Sequence, residues 1–165
     1  MRGLSNSENS STRQYYFTIA RGAFVRRVEE GTKGATSRTL KKGKNEGKVV
    51  HEISYNNIEG QITNIYLDSA PWGQNWKISL DISSGEDGIQ EFAIISIPYD
   101  NSYAQMILKR LPNIDLDQDV SLRTGAGKDK ETGKDFSYLT AYQNGTKIQP
   151  AFTKEEPNGM PEMKV

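Results

Sequence analysis

Between residues 76 and 82 the chain alternates strictly: Trp76, Ile78, Leu80 and Ile82 are apolar, and Lys77, Ser79 and Asp81 are polar. A period of two is that of a β-strand with one face against a core and the other toward water. Residues 83–88 supply turn formers, among them Gly85 and Gly88, and residues 92–97 form a second apolar run. The pattern predicts a β-hairpin over 76–97 that presents Lys77, Ser79 and Asp81 outward. Residues 15–28 are rich in aromatic and β-branched side chains, with Gly22 as the expected bend or bulge, and predict one long strand or a bent pair. Further strands are expected over 48–55, 61–67, 120–123, 136–142 and 147–152, and Asn144-Gly145 is a favoured two-residue hairpin turn between the last two. One helix is expected, about ten residues long, because Tyr103, Ile107, Leu108 and Leu111 share a stripe at helical spacing. N-cap candidates precede it at 98–102 and Pro112 stops it.

The remaining segments lack periodicity. Residues 1–13, rich in Ser and Asn, predict a disordered lead-in, and residues 153–165 a flexible tail. Residues 29–47 hold four glycines and the basic side chains Lys33, Arg38, Lys41, Lys42 and Lys44, with Lys48 just beyond, and predict a mobile basic loop at a hairpin tip. A second glycine-rich loop is expected over 124–135, and a third over 68–75, where Pro71 and Gly73 bracket Trp72. A large aromatic in such a loop serves as a lid over a barrel mouth, the commoner role, or as a ligand contact.

After an N-terminal hairpin the order is strand, strand, strand, short helix, strand, strand. That is the order of the oligonucleotide/oligosaccharide-binding (OB) fold, a five-stranded, partly open Greek-key barrel whose second and third strands and adjoining loops carry ligands. The expectation is a mainly β chain with one OB domain over 14–152, its helix between strands 3 and 4, and an added N-terminal β-hairpin.

Composition narrows the function. At 165 residues, 35% hydrophobic, the chain suits a single domain with a real core. It has no apolar run of membrane-spanning length and no charged-then-apolar leader, so a soluble protein of the cytoplasm, the host's if phage-encoded, is expected, with no membrane partner. There is no cysteine, and His51 is the only histidine, which removes the usual parts of metal and nucleophile chemistry. No enzyme activity, metal or cofactor is expected. The run Gly125-Ala-Gly-Lys128 resembles the end of a phosphate-binding loop, but Leu122 stands where its first glycine belongs and Asp129 follows the lysine. Asp115, Asp117 and Asp119 lack the glycine and closing Glu of a calcium loop. The zero net charge hides a split: residues 1–50 carry 11 Lys/Arg against 4 Asp/Glu, and residues 51–165 carry 10 against 17. A basic region on an acidic remainder is a candidate polyanion contact, or else a solvated charged loop.

Several short motifs, in this order and spacing, resemble the bacteriophage single-stranded DNA-binding proteins built on the OB barrel. They are Ser37-Arg38-Thr39, Val50-His51-Glu52 with Tyr55, Ile58-Glu59-Gly60-Gln61-Ile62, Leu108-Lys109-Arg110-Leu111-Pro112-Asn113 and Gln143-Asn144-Gly145-Thr146-Lys147-Ile148, spanning roughly residues 15 to 150. The resemblance implies single-stranded DNA as ligand, with replication or recombination proteins as partners. Many such proteins end in a strongly acidic, partner-recruiting tail, whereas residues 151–165 here hold three Glu against two Lys.

A sequence-tolerant single-strand binder needs a basic groove for phosphates and aromatic faces for bases. Arg26, Arg27, Lys33, Arg38, Lys41, Lys42, Lys44 and Lys48 are the phosphate candidates, with Arg123, Lys128, Lys130 and Lys134 closing from the second loop and Lys77 on the central hairpin. Tyr16 and Arg21 interleave aromatic and basic character near the first bend, and Trp72 is the loop aromatic. With Leu139 and Ala141 toward the core, Tyr138 and Tyr142 share the opposite face as a stacking pair; the alternative is that the tyrosines fill the core. Two other functions fit the same barrel: a structural interaction module and an RNA-binding barrel.

Overall fold

The computed structural model describes residues 12–85 and 88–151. The strands are β1 (Thr12–Ala20), β2 (Ala23–Val28), β3 (Thr36–Thr39), β4 (Val49–Tyr55), β5 (Asn57–Ala70), β6 (Gly73–Asp81), β7 (Gln90–Pro98), β8 (Val120–Lys128), β9 (Asp135–Gln143) and β10 (Thr146–Lys147). One helix, α1 (Ser102–Leu108), lies between β7 and β8. The protein is therefore mainly β, as the alternating segments predict. Its strands form one open mixed sheet in the order β10-β9-β8-β5-β6-β7-β1-β2-β4-β3. Among the described residues the ten strands exceed the expected five plus a hairpin. The surplus comes from β3, which pairs along β4 inside the segment expected to be a loop, from a tight turn that divides β1 from β2, and from counting β10, a two-residue strand in place of the one expected over 147–152. Among the described residues no helix is long and apolar enough to cross a membrane.

The central hairpin forms as predicted, with Leu80 opposite Ala93, Ile78 opposite Ile95 and Trp76 opposite Ile97. These side chains enter one core cluster with Phe17, Phe24, Ile58, Ile62, Val120, Leu122, Leu139 and Ala141, so both halves of the sheet wrap around the same interior. Tyr103, Ala104 and Ile107 of α1 complete it, and the Tyr103 hydroxyl donates to Ser137 Oγ at 2.6 Å. Asn101 caps the helix by accepting from the Tyr103 N–H at 2.9 Å. The helix has seven residues rather than about ten, because a single 3-10 turn at Leu111–Asn113, carrying Pro112, takes over its last part.

Three expected loops are shorter than the composition suggests. Residues 68–75 belong almost wholly to a long β5–β6 ribbon, paired from Gln61 opposite Asp81 to Ala70 opposite Gly73. The gap between the strands expected over 48–55 and 61–67 is nearly closed, since residues 57–60 already lie in β5, where they pair with β8. At Gly60 the strand passes from β8 to β6, and a Cβ there would stand 2.3 Å from the Asp81 carbonyl oxygen. Residues 124–128 extend β8, which leaves only 129–134 as a connection.

The β1–β2 turn is Arg21-Gly22, with φ of 56° and 71°. Two left-handed residues in succession give the hairpin twist that suits a two-residue loop. A Cβ on Gly22 would lie 2.7 Å from Ala126 Cβ and 2.8 Å from the Gly125 carbonyl, so this turn sits directly on β8. Asn56 fixes the junction: its side-chain amide donates to the Gly22 carbonyl at 3.1 Å, and its own carbonyl accepts from the Thr124 N–H at 2.9 Å. The expected lead-in and tail lie outside the described residues, apart from Thr12 and Arg13, which already pair with Gln90 and Glu91 in β1.

Candidate functional site

The sheet's outer face acquires its chemistry from register. One row of directly opposed residues runs Tyr66, Lys77, Ser96, Thr18, Val25, Ser54 across β5, β6, β7, β1, β2 and β4. The next row places Ser79 beside Ile94 and Ile94 beside Tyr16, and on β2 and β4 sets Arg27 opposite Glu52. Together these rows form a groove of about 400 Å³ lined by Tyr16, Thr18, Val25, Arg27, Arg38, Glu52, Lys77, Ile94 and Ser96. Val25 and Ile94 are buried here without belonging to the interior core, so the groove has an apolar floor. Tyr16 stands on its rim, 60% exposed.

Charge in the groove is organised by Glu52, which is only 6% exposed. Its carboxylate accepts from Arg38 Nε at 2.8 Å and Arg38 Nη2 at 3.1 Å, and from Arg21 Nη2 at 3.2 Å. The Arg38 hydrogen bonds, helped by the charges of Arg38, Arg21 and Arg27, hold the Glu52 carboxyl below its usual range against the opposing effect of burial. Arg21, Arg27 and Arg38 thus meet around one carboxylate, with Lys77 lining the same groove, and the positive charge is in excess.

A second surface lies over β8 and β9. Gly125 is opposite Tyr138 and Gly127 is opposite Phe136. A Cβ on Gly125 would fall 2.3 Å from the Tyr138 hydroxyl, and one on Gly127 would fall 3.1 Å from Phe136 Cζ, so both rings lie across bare backbone. They remain open to solvent, Phe136 at 50% and Tyr138 at 39%. Leu139 and Ala141 enter the core, which puts Tyr138 and Tyr142 on the opposite face and settles the choice against the core-filling alternative. Tyr142 differs from Tyr138 in that the Arg123 guanidinium covers its ring at 4.0 Å from the centroid. Beyond the strands, Asp129 accepts from the Glu131 and Thr132 N–H groups, which shape the 129–134 turn and lower its carboxyl below the usual range. Lys128, Lys130 and Lys134 are exposed around that turn.

Arg21 joins the two surfaces. It reaches Glu52 in the groove and also lines a cleft of about 550 Å³ with Ala126, Gly127, Lys128, Asp135, Phe136 and Ser137.

Other expected residues lie apart. Arg26 follows a strand's alternation onto the face opposite Arg27, where it sits 5.0 Å over the Tyr15 ring in a separate cleft with Phe17 and Tyr55. Lys33, Lys41, Lys42, Lys44 and Lys48 are exposed on the arm around β3 and β4, outside the groove lining. Trp72 is 84% exposed at the tip of the β5–β6 ribbon, so it is not a lid over the interior. Sequence reasoning passed over Phe136, Tyr66 and Glu52. The signal for Phe136 is its two-residue spacing from Tyr138, matched by the spacing of Gly125 and Gly127. The chemistry available is a cationic trough for an extended polyanion and flat, open rings for planar groups. Comparison with protein-family models, curated proteins and solved structures gives no match for this chain.

Proposed function

We propose that the protein binds single-stranded DNA with little sequence preference, and that β5, β6, β7, α1, β8 and β9 are an OB-type core enlarged by β1 to β4. The observation that carries this reading is that Arg21 links two surfaces: it bonds Glu52 in the groove of Lys77 and Tyr16 and lines the cleft of Phe136, whose ring, like that of Tyr138, lies across glycine. Phosphates suit the first part and unstacked bases the second. A duplex keeps its bases stacked and inaccessible to the rings, so the arrangement favours a single strand.

The core assignment is supported by antiparallel pairing of β5 with β6, β6 with β7, β5 with β8 and β8 with β9, and by the helix between the third and fourth of these strands. In OB folds ligands use the second and third strands and the loops joining strands 1–2 and 4–5. Here those are the outer faces of β6 and β7, the turn at Trp72 and the turn at 129–134. Such a protein would cover single strands exposed during replication or recombination.

Titration of fluorescent oligo-dT of about 25 nucleotides, with oligo-rU and duplex of equal length in parallel, tests the proposal. Preferred binding of oligo-dT is expected, with affinity falling as salt rises by a log–log slope of about −0.7 per phosphate neutralised. Stronger binding of oligo-rU would make this an RNA-binding barrel. Absence of any single-strand binding at low salt would leave the interaction-module reading.

A further inference from the structure

Resting on the single-strand reading of the groove, we propose that Glu52 is a positioning residue, which presets Arg21, Arg27 and Arg38 as one seat for a phosphodiester group beside Tyr16 and Lys77. A carboxylate in a polyanion groove is unfavourable on charge alone, so its presence there calls for a physical reason. The three arginines come from three separate pieces of chain: the β1–β2 turn, β2 and β3. Each long side chain would otherwise lose substantial rotamer freedom on meeting a phosphate. Glu52 removes much of that freedom in advance. It takes two N–H groups of Arg38 and one of Arg21, and it lies directly opposite Arg27 in the β2–β4 register. A guanidinium has five N–H donors, so three of Arg38's remain after its fork to Glu52. Because the carboxylate is buried and the Arg38 side chain is not, a second anion approaches the arginines from the solvent side. A phosphate, recognised by planar forks and by excess positive charge, has the matching chemistry.

Two explanations of Glu52 give opposite signs. If the arginines act only as charge, Glu52→Gln removes a negative group and tightens polyanion binding. If Glu52 positions them, the same change weakens binding although the protein becomes more positive. The full chain, Glu52→Gln and Arg38→Lys are titrated with fluorescent oligo-dT of about 25 nucleotides over a range of salt, with thermal melts by circular dichroism in parallel. Under the proposal Glu52→Gln loses about 3- to 10-fold in affinity and its salt slope shrinks by about 0.7 for each phosphate that is no longer neutralised. Arg38→Lys, which keeps the charge but lacks the planar fork, loses affinity in the same direction. Folded Glu52→Gln that binds as tightly as the unaltered chain, or more tightly, overturns the proposal. If Glu52→Gln is unfolded at the assay temperature, Arg38→Lys decides, and unchanged affinity and slope overturn it. Failure of the unaltered chain to bind oligo-dT has a different signature and defeats the single-strand reading itself.

Discussion

Over β1, β2, β4, β6 and β7 the exposed face is built from charge held by charge: three arginines around one buried carboxylate, with Lys77 in the same groove, on an apolar floor of Val25 and Ile94. Over β8 and β9 it is built from rings held by missing side chains, with Phe136 and Tyr138 lying across Gly127 and Gly125. The first device is long-ranged and weakened by salt. The second acts only at close range and is indifferent to salt, so a ligand crossing both would be attracted by one and retained by the other. The two regions meet at a single turn, Arg21-Gly22, which packs on Gly125 and Ala126.

That junction gives the largest expected effect. Gly22→Ala would place a Cβ in a left-handed backbone and too close to β8. A cost of about 2–4 kcal/mol is expected from strain and overpacking together, read as a lowered midpoint in urea; both regions would then lose ligand affinity in step. Unchanged stability would show that the regions are mechanically independent. Next in size, Phe136→Ala combined with Tyr138→Ala should cost about 1–3 kcal/mol of binding per ring while leaving the salt slope and the melting temperature nearly unchanged. A large fall in slope would mean that the rings owe their effect to neighbouring cations. Smaller again, Lys77→Ala or Arg27→Ala should weaken binding only severalfold near physiological salt, and should reduce the slope by about 0.7 each. If either change weakens binding equally at all salt concentrations, the groove is not an electrostatic device.

The smallest effect concerns acid. Glu52 is depressed below its ordinary value of 4.5, so its ionised form is preferred in the folded state. Its contribution to stability is complete above that ordinary value and is lost as pH falls through the lower folded value. The stability advantage of the unaltered chain over Glu52→Gln should therefore hold at neutral pH and narrow in acid, as melts over a pH series would report. A gap independent of pH would mean that the Arg38 bond owes nothing to the carboxylate's charge.

Local pattern carried much of this fold. The alternation of Trp76, Ile78 and Leu80 identifies a core face, Gly22 and Asn144-Gly145 mark real turns, and the helix falls where its apolar stripe and caps indicate. Misreadings concentrate where a strand's character is set by its neighbour. Residues 124–128 look like a loop because two glycines interrupt them, yet those glycines are what the rings opposite require. Thr36–Thr39 is wholly polar and exposed, and becomes a strand only because β4 offers it an edge. The site is legible in the same partial way. Lys77 is on the expected outer face and Tyr16 joins it there, but adjacent Arg26 and Arg27 diverge to opposite faces, and nothing local shows that Glu52 will collect arginines from three segments.

The parallel pairing of β1 with β7, Tyr16 beside Ile94 and Thr18 beside Ser96, has a consequence in time. Pairings this distant in sequence must close a long stretch of chain before they return any stabilisation, and folds rich in them form slowly. During synthesis the first strand leaves the ribosome well before β7 and has only β2 to pair with until residues 90–98 follow. Tyr16, Arg27 and Lys77 therefore become neighbours only late. Affinity for a polyanion in the groove would report that the chain has finished folding, and an N-terminal fragment ending before β7 would carry the basic residues without the site.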